Sequence, residues 1–194
     1  MAVTGPDANR IHDLGTLLAA QDQTRMPPVE TWDPPYRGDI GLAIAGDGTW
    51  SYQGSPITRP ALVRLFARVL RRDGDGRTFL VTPVEKVDVQ VADAPFCAVE
   101  LQVDGEGREQ QLTFRTNVDD IVTCGPEHPL RFAPEPVSGG LKPYVLVRGR
   151  LEALVTRSIY YDLVELALEP GVRPTGTATD QPGLWSGGAF FALT

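Results

Sequence analysis

WDPPYRGDIGLAIAGDGTWSYQGSPITRP, Trp32 to Pro60, is the stretch that decides the fold. Ile40, Leu42 and Ile44 alternate with small or polar neighbours, the period of a strand with one buried face. Asp47-Gly48 then supplies the positive φ of a tight turn. Trp50 and Tyr52 alternate on the returning strand. Gly54-Ser55-Pro56 turns the chain again. Thr58 offers a helix cap and Pro60 suits a first helical turn. Leu62, Leu65, Phe66 and Val69 continue as a helical stripe, with Arg64, Arg68, Arg71 and Arg72 off it. Asp73-Gly74-Asp75-Gly76 is expected to stop that helix.

Upstream, Ile11, Leu14, Leu17 and Leu18 recur at helical spacing behind a cap at Asp7 or Asn9. Gln21 to Thr31, with Met26-Pro27-Pro28, reads as an extended linker. Downstream the period changes to two. Phe79 to Thr82, Val87 to Val91, Phe96 to Val103, Gln111 to Arg115 and Ile121 to Cys124 read as strands. Asp104-Gly105-Glu106-Gly107 joins two of them. Pro129 to Gly140 reads as loop, and Tyr144 to Val155 as a second hairpin turning at Gly149. Ile159, Leu163 and Leu166 mark another helix. Val172 to Gly183 reads as a weakly structured bridge, and Leu184 to Leu193 as a closing strand.

Sliding the sequence by 101 positions aligns Gly48 with Gly149, Leu62-Val63 with Leu163-Val164 and Leu65 with Leu166. Both copies read strand, glycine turn, strand, helix. After a gap of three, Leu80 to Pro83 meets Leu184 to Gly187. The expectation is an α+β chain of duplicated strand-turn-strand-helix-strand units: two small sheet-plus-helix domains, the second strand-rich. Residues 1–31 would be an N-terminal helix and linker, 32–95 the first unit and 96–194 the second, with a ligand cleft expected where the two units meet.

A hydrophobic share of 42% supports a real core. A net charge of −7 excludes a polymeric nucleic acid as the expected partner, because phosphates repel an acidic surface. Met1 to Asp7 has no leader pattern, and no apolar run is long enough to span a bilayer, so a cytoplasmic protein without a membrane partner is expected. Cys97 and Cys124 are read as free thiols, Cys97 alternating with Val99 and Leu101 as a small buried hydrophobe.

No GxSxG elbow, phosphate loop ending GK[ST] or HExxH occurs. Cys124 and His128 make at most half a zinc site, so neither a catalytic residue nor a metal ligand is assigned, and no cofactor is named. Arg64, Arg68 and Arg72 form an i, i+4, i+8 row, read first as a solvated face. Arg59, in the first helical turn, stands where a helix N-terminus favours anions, or else pairs with Asp39 or Asp47. Thr82 to Lys86 and Ser186-Gly187-Gly188 occupy corresponding places in the repeat.

WDPPYRGDIGLAIAGDGTWSYQGSPITRPALVRLFARVL, LVTPVEKVDVQVADAPF and LWSGGAFF resemble the bacterial family grouped as domain of unknown function 1285. The resemblance runs from about Trp32 to the end. It implies a duplicated α/β architecture with a second half loosely like pleckstrin-homology folds. It also implies a pocket between the halves for a nucleotide-like signal.

The leading expectation is therefore a non-enzymatic ligand-binding or signal-transduction module for a small anionic or nucleotide-like ligand. Arg37, Arg59, Lys86 and Arg148 would supply charge, Trp32 and Tyr36 a stacking face, and Asp39 and Glu85 would orient the arginines. Two alternatives stand beside it. One is a hydrolase or transferase using Asp39 or Glu85 as general base. The other is a scaffold binding a protein partner through the arginine row or an exposed sheet edge.

Overall fold

The computed structural model describes residues 6–20, 25–136, 139–168 and 181–194. The chain divides into two compact units: Met1–Ala45 with Thr49–Ala92, and Gly46–Gly48 with Asp93–Thr194.

The first unit holds a six-stranded sheet. Strand β1 (Tyr36–Ile44) turns at Asp47-Gly48 into β2 (Trp50–Tyr52) and then β3 (Ser55–Pro56). Strands β4 (Leu70–Arg72), β5 (Thr78–Val81) and β6 (Lys86–Val91) complete the order β3-β2-β1-β6-β5-β4. Only the β1–β6 pair is parallel, because helix α2 (Pro60–Ala67) intervenes between them as a crossover. Leu42, Ile44, Trp50, Phe66, Leu80 and Val87 form its core, each essentially without exposure. Helix α1 (Pro6–Ala19) packs on α2; a Cβ added at Gly15 would stand 2.8 Å from Leu62 Cδ1.

Two details of α2 differ from the expectation. Its N-cap is Arg59 rather than Thr58, with no side-chain cap, and Pro60 does occupy the first turn. It ends at Ala67, so Asp73 to Gly76 turns β4 into β5 instead of stopping a helix. Val69 leaves the helix to bond Val81 N–H at 2.9 Å. Arg71 and Arg72 are consequently strand residues, and the row with Arg64 and Arg68 is broken.

The second unit carries another six-stranded sheet, order β10-β11-β12-β7-β8-β9. Its strands are β7 (Phe96–Asp104), β8 (Gln111–Thr116), β9 (Ile121–Thr123), β10 (Leu130–Pro134), β11 (Leu141–Arg148) and β12 (Leu151–Val155). Strand β10 falls where only loop was read, since Pro129, Pro134 and Arg131 obscure the alternation of Leu130 and Phe132. Helix α3 (Arg157–Leu168) follows β12, and Gly187-Gly188 folds the closing stretch into a ribbon of β13 (Gly183–Ser186) and β14 (Ala189–Ala192) rather than one strand. Most of the predicted bridge, residues 172–180, lies outside the described residues.

Both units share the strand, glycine turn, strand, helix order. The neighbours differ. Strand β1, the first of its hairpin, pairs parallel with β6, whereas β12, the second of its hairpin, pairs parallel with β7. Strand β5 lies within its sheet, while β13 pairs only in the ribbon. The duplication is therefore one of element order, with different sheet wiring around it.

Candidate functional site

Strand β1 carries most of the residues singled out in the opening stretch. Its pairing with β6 shifts register on both sides of Asp39. Gly38 and Gly41 take φ of 85° and 83° to make those shifts, a conformation costly for any residue with a Cβ. The exposed Asp39 carboxylate accepts the Gly41 N–H at 2.7 Å and Gln90 Nε2 at 3.3 Å. Arg-Gly-Asp-Ile-Gly is thus used to build a double bulge. Arg37 is exposed beside it.

Tyr36 and Lys86 are register partners at the start of the β1–β6 pair. Tyr36 stacks edge-on to Phe79, with centroids 6.2 Å apart, and its hydroxyl donates to buried Asp88. Arg77 donates to both Tyr36 and Asp88 and lies 4.9 Å over the Phe79 ring. Lys86 Nζ also lies 4.4 Å over the same ring and donates to Asp73 at 3.1 Å. Arg71, 8% exposed, donates to Asp73 at 2.6 Å and to the carbonyls of Val29 and Trp32 at 2.8 and 2.7 Å. Burial would raise the Asp73 pKa, but hydrogen bonds from Arg71 and Lys86 outweigh it and hold the carboxyl below its usual range. Tyr36 and Lys86 therefore meet in one aromatic and ionic cluster, whose charges already face protein partners, and Trp32 is tied to it only through its backbone carbonyl on Arg71.

The other singled-out residues stand elsewhere. Glu85 accepts from Arg10 at 3.1 Å. Arg59 borders an apolar hollow of about 600 Å³ between α1 and α2, with Ile11, His12, Leu62 and Leu65. Arg148, in the second unit, donates to Asp120 and lies 4.9 Å over Phe96. The Cys124–His128 spacing is that of a tight connection, the Gly125 N–H donating to the His128 carbonyl at 3.1 Å and the reverse bond closing at 3.2 Å. Ser186, buried, donates to the Cys124 carbonyl at 2.7 Å and accepts the Leu112 N–H at 2.9 Å, which fastens the ribbon to the sheet.

A groove of about 620 Å³ lies in the second unit, and none of the eight residues singled out borders it. Its floor is apolar: Val99 from β7, Leu141 and Pro143 from β11, Leu154 and Val155 from β12. The first turn of α3 forms one wall with Thr156, Arg157, Tyr160 and Tyr161. The tyrosine rings are 6.0 Å apart and tilted by 43°. Lys142 also borders the groove, but its charge is compensated by Asp93 at 2.9 Å and Glu135 at 3.4 Å. Tyr144 donates to the same Asp93 at 2.7 Å; burial, then that carboxylate, pushes the phenol up to about 12.

Arg157 differs from Lys142. It makes no salt bridge among the described residues, and its Nε donates to Tyr161 Oη at 3.1 Å, which raises the guanidinium pKa further. Among the described residues four of its five N–H donors remain for another acceptor. The free backbone N–H groups of the α3 first turn stand beside it. Cys97 borders the groove as a thiol, held protonated by burial and then by Asp47 and Asp93. Sequence reading missed this groove because its walls come from four separated segments. The local signal was Arg157-Ser158-Ile159-Tyr160-Tyr161, one cation and two rings opening a helix.

The molecule is an α+β protein of two sheet-plus-helix units, with an amphipathic groove built into the second. Residues 27–94 match the model of the Domain of unknown function (DUF1285), N-terminal domain, and residues 95–193 that of the Protein of unknown function (DUF1285), C-terminal domain. The chain belongs to the DUF1285 family. It is similar to a DUF1285 family protein of Silicibacter pomeroyi DSS-3, solved at 2.50 Å, with 47% identity and a TM-score of 0.81 over 93% of this chain and 94% of that one. A DUF1285 family protein of Shewanella baltica OS155, solved at 1.40 Å, matches with 25% identity and a TM-score of 0.52 over 69% of this chain and 98% of that one. No curated protein matches the chain. Among the described residues no helix is long and apolar enough to cross a membrane.

Proposed function

We propose that this protein is a non-enzymatic, cytoplasmic ligand-binding module. Its ligand is a small anion carrying a ring, of the size and polarity of a nucleotide, and it lies in the groove of the second unit. The observation that carries this reading is Arg157: a cation at a helix start that makes no salt bridge among the described residues and feels the groove's Glu135 only through space, on the rim of an apolar groove with two tyrosines. About 620 Å³ falls inside the range that small-molecule sites occupy, roughly 300–1,000 Å³. The anion would meet the guanidinium and the first-turn N–H groups, and the ring would lie against Tyr160 or Tyr161 above Val99 and Leu154.

Binding is favoured over catalysis by the state of the groove's reactive groups. Cys97 is kept as thiol, the less nucleophilic form. Asp93 does not line the groove but partners its Lys142: burial would raise this carboxyl, yet bonds from Lys142 and Tyr144 hold it ionised and occupied. Asp39 and Glu85, the carboxylates considered as general bases, serve a bulge and an ion pair in the first unit.

Thermal denaturation against a panel of nucleoside monophosphates, nucleoside diphosphates and aromatic carboxylates tests the proposal. A tenfold excess over Kd stabilises by about 1.4 kcal/mol, or roughly 3–6 °C for a chain of this size. At least one member should do so, and Arg157→Ala should abolish the shift. No shift with any member, or a shift that survives Arg157→Ala, refutes it.

A further inference from the structure

The groove of the second unit has two electrically different ends, and backbone register places them. Cys97 stands opposite Leu154, and Leu154 opposite Tyr144. The Cys97 thiol donates to the Gly46 carbonyl at 3.9 Å. The turn Gly46–Gly48, part of the second unit, therefore stands at this level, and Asp47 borders the groove from it. Leu141 lies three residues from Tyr144 along β11, about 10 Å in an extended strand. Gly140 and Glu135 meet at that other end, the Glu135 N–H donating to the Gly140 carbonyl at 2.9 Å. Arg157 is there too. It lies three residues beyond Leu154, on the side toward which β11 runs back to Leu141. The Glu135 carboxylate reaches its guanidinium through space.

The charges are divided unequally between the ends. Lys142 is held by Asp93 at 2.9 Å and by Glu135 at 3.4 Å. The lining and these partners thus set Asp47, Asp93 and Glu135 against Lys142 and Arg157, three negative charges against two positive. The excess is felt at the Cys97 end, where burial, then Asp47 and Asp93, keeps the thiol protonated. Asp47 is exposed there, beside the Gly46 carbonyl. An anion held by Arg157 consequently turns its far end toward acceptors and negative charge. A second negative group at that place is repelled, and a positive group is attracted.

We propose that the ligand of this groove is dipolar: a ring compound with one anionic group for Arg157 and, across the ring, a protonated amine for Asp47 and the Gly46 carbonyl. This rests on the reading that the groove binds a ring-bearing anion, and it narrows the chemical class of that ligand. The apolar floor of Val99 and Leu154 spans the distance between the poles, where the ring lies. A carboxylate and a carbonyl each accept more than one hydrogen bond, so the amine adds to the contacts already made there.

Isothermal titration calorimetry on the full-length protein compares para-(aminomethyl)phenylpropanoate with para-ethylphenylpropanoate, in which a methyl replaces the ammonium. The amine should bind about fivefold tighter, the scale of one exposed ion pair. Apolar burial favours the ethyl compound, so a preference for the amine comes from charge. Asp47→Asn keeps a turn-forming side chain and should erase the preference while leaving the ethyl compound's affinity unchanged. Arg157→Ala should weaken both compounds. A preference under about threefold, or one that survives Asp47→Asn, overturns the inference. Binding of neither compound overturns it too, whereas the groove reading itself is decided separately by the nucleotides and aromatic carboxylates above. Should Asp47→Asn fail to fold, salt decides on the native protein: the preference should shrink as ionic strength rises, and one indifferent to salt overturns the inference.

Discussion

Replacing Arg71 by leucine removes a buried guanidinium that three parts of the first unit depend on. Its Nη1 holds the Val29 carbonyl at 2.8 Å in a fully buried bond and the Trp32 carbonyl at 2.7 Å in a partly buried one. Its Nε holds Asp73 at 2.6 Å. A buried acceptor left without a donor costs about 1–3 kcal/mol, which sets the Val29 term. The Trp32 carbonyl and Asp73 are nearer solvent, and Asp73 keeps Lys86, so about 1 kcal/mol each is the expected scale. Leucine in place of the arginine stem recovers part of this through burial, leaving a net loss of about 3 kcal/mol. Urea denaturation followed by tryptophan fluorescence and far-UV circular dichroism reads the change, with Arg37→Ala as the exposed control, expected within about 0.5 kcal/mol of wild type. Arg71→Lys should recover only part, because a point ammonium cannot reproduce the fork that spans two carbonyls and a carboxylate. A loss below about 1 kcal/mol for Arg71→Leu would refute the claim that this side chain ties the Val29–Trp32 segment to the sheet.

Gly48→Ala should destabilise by about 2 kcal/mol or more, read by thermal melting, because φ is 83° and the new Cβ would stand 2.6 Å from Asn117 Nδ2. Native protein should react slowly with Ellman's reagent at pH 8, as Cys97 is shifted up and burial pushes Cys124 up to about 12; rapid labelling without unfolding would contradict both placements. Stability should fall at alkaline pH, since groups with raised folded values lose their contribution between the unfolded and folded pKa: from 9.0 to about 12 for Cys124 and from 10.0 to about 12 for Tyr144. Cys124→Ala should flatten the lower part of that window. On the acid side Asp73 and Asp93 have lowered folded values, so their contribution is present above 3.8 and is lost as pH falls through the folded values.

The first hairpin was legible because each residue's local preference agreed with its place. Ile40, Leu42 and Ile44 alternate, Asp47-Gly48 turns, and Trp50 returns to the core. Much of the element order in the second unit was legible for the same reason, β10 and the β13–β14 ribbon excepted, as was the family from its long motifs. What escaped was set by distant partners. The helical stripe runs on through Val69, and only β5, pairing with Leu70 and Arg71, ends α2 at Ala67. Arg71 therefore read as a surface arginine although it is buried. Tyr36, Asp39 and Lys86 drew attention as chemistry, yet the structure uses them on Asp88, on a bulge and on Asp73. Arg157, Tyr160 and Tyr161 went unmarked, since a cation and two rings at a helix start gain meaning only once Val99, Leu141 and Leu154 lie beneath them.

A crystal structure with the panel member that gives the largest thermal shift tests the binding claim most directly. The account predicts ligand density in the second unit's groove, with its anionic group within hydrogen-bond distance of the Arg157 guanidinium and its ring against Tyr160 or Tyr161. Density at another place on the chain, with this groove empty, would contradict it.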